Sequence, residues 1–238
     1  MHYRPGTDPA DVAWKLVAVN LSDLAAKGAE PLGVLIGATL SEQRFVDGLR
    51  DVLETFATPL LGGDTIALPA GAPQVFGCTA IGRATGPVPT RSGAKPGDSL
   101  WVTGSIGAAW LGFEGRGDSA PYLRPVPRLA EGRALVPHIH AMMDVSDGLL
   151  LDTSRMAEAS GVTIDIALDQ VPFAPGIAPD ERLRAASWGD DYQLLFAAPP
   201  GFVPPVAATR IGKVIPQGPA PLLVDGTPPD HKLGYEHR

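Results

Sequence analysis

The feature that most constrains this chain is the stretch Met143-Asp144-Val145-Ser146-Asp147-Gly148-Leu149-Leu150. Apolar residues lead into it (Ile139, Met142, Met143). An amphipathic run leaves it through Leu149, Leu150, Leu151, Met156, Ala157 and Ala159 and stops at Gly161. This order predicts a strand, a short acidic turn and a helix, because apolar residues at helical spacing line one face and glycine readily ends a helix. Ser146 or Asp147 is placed to cap that helix, since a short side-chain oxygen can accept from the free N–H groups of the first turn. A cap uses one acceptor. Here Asp144, Ser146 and Asp147 crowd two carboxylates and a hydroxyl into four residues.

A Ser-Asp pair before an apolar run is commonly a cap and nothing more. This one has an echo. Val19-Asn20-Leu21-Ser22-Asp23-Leu24 again brings an apolar run to Ser-Asp, and Gly28 follows. Leu60-Leu61-Gly62-Gly63-Asp64-Thr65 reads as a third acidic turn, in which two glycines free the backbone beside a carboxylate and a hydroxyl. If the three converge, their carboxylates repel one another and do not all stay ionised without a cation. Oxygen ligands of this kind suit Mg²⁺, which takes one or two carboxylates and fills its shell with water and phosphate oxygens.

The 238 residues allow one large domain or two modest ones, and 45% hydrophobic with 19% charged residues is ordinary for a globular chain with a real core. A net charge of −7 argues against general nucleic-acid binding, which needs a basic face, and means that a polyanionic ligand such as ATP needs accompanying cations. The one cysteine, Cys78, lies in an apolar run; it excludes an intrachain disulfide and reads as an inert thiol. No apolar run reaches membrane-spanning length and no signal-peptide core is present, so the cytoplasm is the expected compartment.

Along the chain, Asp8 can cap a helix over residues 10–27, a strand follows at 32–39, and Ser41 is placed to cap a helix with Phe45, Leu49, Val52 and Phe56 on its apolar face. Residues 74–82 read as a strand. Gly, Pro and basic residues then take over at 83–98, which places a domain boundary near residue 87 and divides the chain into 1–87 and 88–238. Beyond it, strands are expected at 99–103, 162–168, 193–196, 210–214 and 222–224, a helix at 127–140, a surface loop at 115–124, and a possible helix start within the Pro-rich 200–209. Strands and helices do not alternate steadily, so the expected class is α+β in two layers rather than a doubly wound sheet.

No G-x-G-x-x-G fingerprint, P-loop, G-x-S-x-G elbow or H-E-x-x-H pair occurs. His138 and His140 read as solvated or capping residues. What remains suits phosphoryl transfer, which asks of the protein mainly positioning and neutralisation of charge. Arg91 is a candidate phosphate contact and equally a solvated linker arginine.

Taken together, these stretches resemble thiamine-monophosphate kinase, of the superfamily that includes aminoimidazole ribonucleotide synthetase. The resemblance is carried by Trp14-Lys15 through Asp23 and Gly28-Ala29, by Leu61-Gly62-Gly63-Asp64-Thr65, by Arg91-Ser92-Gly93-Ala94-Lys95-Pro96-Gly97-Asp98, and above all by Asp144-Val145-Ser146-Asp147-Gly148-Leu149. It implies a half-barrel-like N-terminal domain that forms a homodimer, a C-terminal α+β domain, and a site in the cleft between them. By resemblance Asp23, Asp64, Asp144 and Asp147 are Mg²⁺ ligands, Gly63, Asp64, Arg91 and Ser146 contact ATP, and His2 and Asp190 contact thiamine phosphate. The implied reaction moves the γ-phosphate of ATP onto thiamine phosphate. The family carries an earlier section with a Gly-Asp-Asp turn and a Ser-Thr-Asp turn, which this sequence does not show; the corresponding expectation is a truncated N-terminal domain, and the alternatives are an impaired relative that folds and dimerises or a sister enzyme with another acceptor. Asp190 stands where the family has Glu, and Lys232 where it commonly has an aromatic.

Overall fold

The computed structural model describes residues 3–39, 42–69 and 71–235. The expected cap by Ser41 and the substrate contact by His2 fall outside them. Helix α1 (Pro9–Ala26) starts where Asp8 accepts the N–H of Ala10 at 2.9 Å, with proline in its first turn. Strand β1 (Glu30–Thr39) follows, then α2 (Gln43–Thr55), β2 (Leu60–Ile66) and β3 (Phe76–Arg83). β1 pairs parallel with β2 and antiparallel with β3. Because side chains alternate along a strand, Val34, Ile36 and Ala38 turn inward and pack with Val12, Val17 and Leu21 of α1 and Phe45 and Val52 of α2. The opposite face of this sheet is bare: Leu35 is 42% exposed, Ile66 53% and Ile81 40%.

The second sheet has the order β5-β7-β4-β8-β6-β9, from β4 (Ser99–Thr103), β5 (Ala141–Asp144), β6 (Val162–Ile166), β7 (Leu194–Ala198), β8 (Ala208–Pro216) and β9 (Leu222–Val224). Helices α3 (Ala108–Glu114), α4 (Ala120–Leu123), α5 (Leu129–Leu135), α6 (Leu149–Ser160) and α7 (Arg182–Ala186) complete this region. Leu149, Leu150 and Met156 of α6 pack on one side of the sheet with Leu100, Val102, Ile164 and Leu195. On its other side Met142, Leu194 and Phe196 meet Ala25 and Ala26, the end of α1. α1 therefore packs against both sheets, and this fixes how N-terminal side chains meet the C-terminal turns.

The α+β class is as expected. Several local expectations are corrected. Gly62-Gly63-Asp64 is not a turn but the middle of β2, paired with Leu35, Ile36 and Gly37. Residues 115–124 contain α4, the expected helix over 127–140 is α5 plus a 3₁₀ turn at Val136–His138, and residues 200–209 start no helix. His140 is partly exposed and is not a cap: its Nδ1 lies 2.9 Å from Asp98 Oδ2. Among the described residues, no helix is long and apolar enough to cross a membrane.

Candidate functional site

Two Ser-Asp pairs meet where α1 crosses the end of β5. The hydroxyl of Ser22 donates to Asp144 Oδ2 at 2.6 Å, in a buried contact between residues 122 apart in sequence. Ser22 and Asp23 thus act from the last turn of a long helix, not from a turn of their own. Asp144 ends β5 and is buried. Loss of water pushes its carboxyl up to about 7; the Ser22 hydroxyl opposes this, and Asp23 and Asp152 add to it. Asp23 opens toward the same space. The protein around it removes enough water to raise its carboxyl above the ordinary range, against the pull of Lys27 and Arg91.

The turn after Asp144 is not held by a cap. Neither Ser146 nor Asp147 accepts from the first turn of α6, whose N-cap is Gly148. The acceptor lies inside the helix instead: Asp152, fully buried, turns back and takes the N–H groups of Ser146 and Asp147 on one oxygen, each at 3.0 Å. Its other oxygen accepts from Arg155 Nη1 at 2.9 Å, and the same nitrogen reaches Asp147 Oδ2 at 2.5 Å. Burial raises Asp152 to about 6. With their backbone tied down in this way, Ser146 and Asp147 keep their side chains on the cleft.

The loop before β7 is zipped onto this turn. Asp190 N–H donates to Ser146 O at 2.9 Å and Tyr192 N–H to Val145 O at 2.8 Å. Gly189 makes the approach possible: it has φ +94°, and a Cβ there would stand 2.6 Å from Ser146 O. The result is a cleft of about 620 Å³ whose lining includes Asp23, Asp144, Ser146, Asp147, Asp190 and Lys232.

Asp23, Asp144, Ser146, Asp147 and Asp190 are thus together. Arg91, on the connection before β4, is exposed but close enough to Asp23 to offset part of the rise that burial gives its carboxyl. Gly63 and Asp64 are not in the cleft. They are strand residues, and Gly63 is accounted for by packing, since a Cβ there would meet Ile36 O at 2.2 Å. Asp64 is exposed and accepts only from the N–H of Thr65 at 2.9 Å among the contacts described. Cys78 is half-buried and its thiol is pushed up to about 11, consistent with an unreactive group. Lys15, Asp152 and Arg155 carry parts of the site that sequence reasoning missed; the one local signal was a carboxylate in the first turn of the helix after an acidic turn.

Among the described residues, no three His, Cys, Asp or Glu side chains close on one point as a complete metal cage. Asp23, Asp144 and Asp147 nevertheless line one cleft, and loss of water raises the carboxyls of Asp23 and Asp144. A set of one or two carboxylates, with the shell finished by water and ligand oxygens, fits Mg²⁺.

Residues 1–84 match the N-terminal domain of AIR synthase related proteins and residues 95–218 the C-terminal domain. The thiamine-monophosphate kinase of Escherichia coli K12 is 39% identical over 225 residues, which cover 83% of this chain and 67% of that protein. The Caulobacter vibrioides enzyme of the same name is 39% identical over 215 residues, covering 79% of this chain and 60% of the relative. In structure, the thiamine-monophosphate kinase of Stenotrophomonas maltophilia K279a matches with a TM-score of 0.85 at 31% identity, over 95% of this chain and 82% of that one. The AaThiL complex with AMPPCP and TMP matches with a TM-score of 0.84 at 29% identity, over 100% of this chain and 83% of that one. The chain belongs to the AIR synthase related proteins and, among them, to the thiamine-monophosphate kinase family of enzymes.

Proposed function

We propose that this chain transfers the γ-phosphoryl group of ATP directly to thiamine phosphate, giving thiamine diphosphate and ADP. The reading rests on the Ser22–Asp144 bond, which ties α1 to β5 and so gathers Asp23, Asp144, Ser146, Asp147 and Asp190 around one cleft. It is supported by relatives named for this reaction at 39% identity and by a similar protein that binds AMPPCP and TMP together.

A terminal oxygen of the acceptor phosphate forms the new bond to the γ-phosphorus, while the bond to the β-phosphate oxygen breaks and ADP leaves with the electron pair. The acceptor phosphate is largely ionised near neutral pH, its second pKa being about 6, so no side chain has to remove a proton. The protein's part is to place two anionic groups in line and to neutralise their charge. Asp23, Asp144 and Asp147 would hold Mg²⁺, which supplies positive charge to the phosphates when bound. Ser146 offers a hydroxyl, Arg91 a guanidinium, and Asp190 a contact for the acceptor, with His2 assigned to the acceptor by family resemblance alone. An enzyme of this kind draws on cytoplasmic ATP.

The bare face of the N-terminal sheet belongs in the same proposal. Leu35, Ile66 and Ile81 present apolar surface on the side away from α1 and α2, and Asp64 shares that side through its pairing with Gly37. A second copy of the chain covers this face in a homodimer, and whatever Asp64 contributes to metal or ATP binding belongs to that dimer.

The experiment is to incubate the purified chain with ATP, Mg²⁺ and thiamine phosphate, oxidise the mixture to fluorescent thiochromes, and quantify the diphosphate after separating it from the monophosphate by chromatography. Product formation that depends on all three components is expected. ADP release without thiamine diphosphate, or no turnover at all, would sink the proposal.

A further inference from the structure

The side chain that governs Asp190 comes from the other half of the molecule. Lys15, on α1, donates from Nζ to Asp190 Oδ2 at 2.8 Å across 175 residues of sequence. It is a buried ammonium, with 8% of its side chain exposed, and its Nζ also stands 3.9 Å from the centre of the Tyr122 ring. The second oxygen of Asp190 accepts from the Tyr192 hydroxyl at 3.0 Å. The backbone is held as firmly: Asp190 has φ +59° and Tyr192 φ +49°, an uncommon region for residues with a Cβ, and such strain persists only where surroundings over-determine it. Both carboxylate oxygens and the backbone are therefore fixed before any ligand arrives. The charge is balanced too, in a cleft whose other carboxylates, Asp144 and Asp147, would repel Asp190. The pair also stands where two hollows meet. Lys15 lines a neighbouring apolar space of about 710 Å³, Asp190 lines the acidic cleft, and Tyr122 and Tyr192 line both.

We infer that Lys15, assisted by Tyr192, is a positioning residue that holds Asp190 as an oriented, charge-compensated hydrogen-bond acceptor for the organic part of the phosphoryl acceptor. This rests on the proposed function and deepens it. A compensated carboxylate selects by donor geometry rather than by net charge, which suits an N–H donor such as the aminopyrimidine group of thiamine phosphate. It contributes nothing to the nucleotide, whose phosphates would be held through Mg²⁺ at Asp23, Asp144 and Asp147.

The test is calorimetric titration of thiamine phosphate into the protein saturated with Mg²⁺ and AMPPCP, with a parallel titration of Mg²⁺–AMPPCP alone. Lys15→Met is expected to weaken thiamine phosphate about 10- to 100-fold, the range for a hydrogen bond to a charged group, and to leave Mg²⁺–AMPPCP within about twofold. Lys15→Arg keeps the charge and recovers most of the affinity. Tyr192→Phe removes a single hydroxyl and weakens thiamine phosphate about 3- to 10-fold; it carries the test if Lys15→Met does not fold. In an Asp190→Asn background, Lys15→Met adds little further loss. A lowered melting temperature with unchanged thiamine phosphate affinity in Lys15→Met and Tyr192→Phe makes the pair purely structural and overturns the inference alone. Wild-type protein that binds Mg²⁺–AMPPCP but no thiamine phosphate overturns the proposed function together with it.

Discussion

Asp144 ends a strand that is buried along its whole length, whereas Asp64 lies in a strand that is exposed at every position but one. The first carboxylate is held by Ser22 and backed by a turn whose backbone is tied to Asp152. Among the described residues, the second accepts a hydrogen bond from its neighbour's N–H alone. The two sheets differ in the same way. β5 and β7 are buried on both faces, packed in the cluster of α6 on one side and with α1 and α5 on the other, while the N-terminal sheet packs helices on one face and leaves Leu35, Ile66 and Ile81 on the other. In the proposed dimer, this difference separates the half of the site that one chain builds alone from the half that a second copy completes. Large exposed apolar patches on a folded domain mark interaction faces.

The comparison breaks most sharply at Asp144. Asp144→Asn is expected to cut turnover by about 10²–10³-fold, the range for losing one preorganised electrostatic group, and to weaken Mg²⁺ binding in calorimetry. In the metal-free protein it acts the other way. Because the fold raises this carboxyl from 3.8 to about 7, the native state holds more protons than the unfolded chain between those values. Wild-type stability therefore falls as pH rises through that window, and Asp152, raised to about 6, adds to the same slope. Asn at 144 removes the larger contribution. Urea denaturation from pH 4 to 8 without metal should show a shallower fall for the variant and higher stability than wild type at pH 8. Equal slopes would mean that Asp144 is not the group that titrates.

Asp152→Ala tests whether the C-terminal half is self-contained. It strands the N–H groups of Ser146 and Asp147 and leaves Arg155 facing Asp147 alone. A loss of about 3 kcal/mol in unfolding free energy is expected, at the low end for breaking a buried ion pair. A loss below about 1 kcal/mol would show that the turn holds its shape without this acceptor.

The N-terminal half is tested at its bare face. Leu35→Glu alters no core contact, since Leu35 is 42% exposed and points away from α1 and α2. It should leave the melting temperature of the monomer nearly unchanged while weakening self-association by about 2 kcal/mol, or roughly 30-fold in the dimer dissociation constant. Sedimentation at graded concentrations reads this directly. Identical sedimentation of variant and wild type would remove this face from any dimer.

Much of this contrast was legible in the sequence, but only where the cause was local. Asp8 capping α1, the strand Ser99–Thr103 and the strand–turn–helix around Asp144 follow from neighbours within a few residues. Gly62-Gly63-Asp64 misleads because its glycines look like turn residues, when the demand on Gly63 comes from the backbone of β1, far off in sequence. The cap expected of Ser146 or Asp147 fails for a related reason: Asp152 reaches backwards from within the helix and accepts from the N–H groups of these two residues, and Gly148 becomes the N-cap. The contact between Lys15 and Asp190 has no local signature, because it exists only once α1 lies across the second sheet.

The smallest effect, and the finest test of the contrast, belongs to Asp64→Asn. In a single chain this carboxylate is exposed and, among the described residues, holds only the N–H of Thr65, so unfolding free energy should stay within about 0.5 kcal/mol of wild type. If Asp64 works at a joint between two copies, its loss weakens Mg²⁺–ATP binding in the dimer and does nothing in the Leu35→Glu background, where the joint is already open. The two substitutions are then non-additive, although the residues do different chemistry. Additive losses in the double variant would return Asp64 to its own chain, and the proposed division between a finished and a shared half of the site would fall.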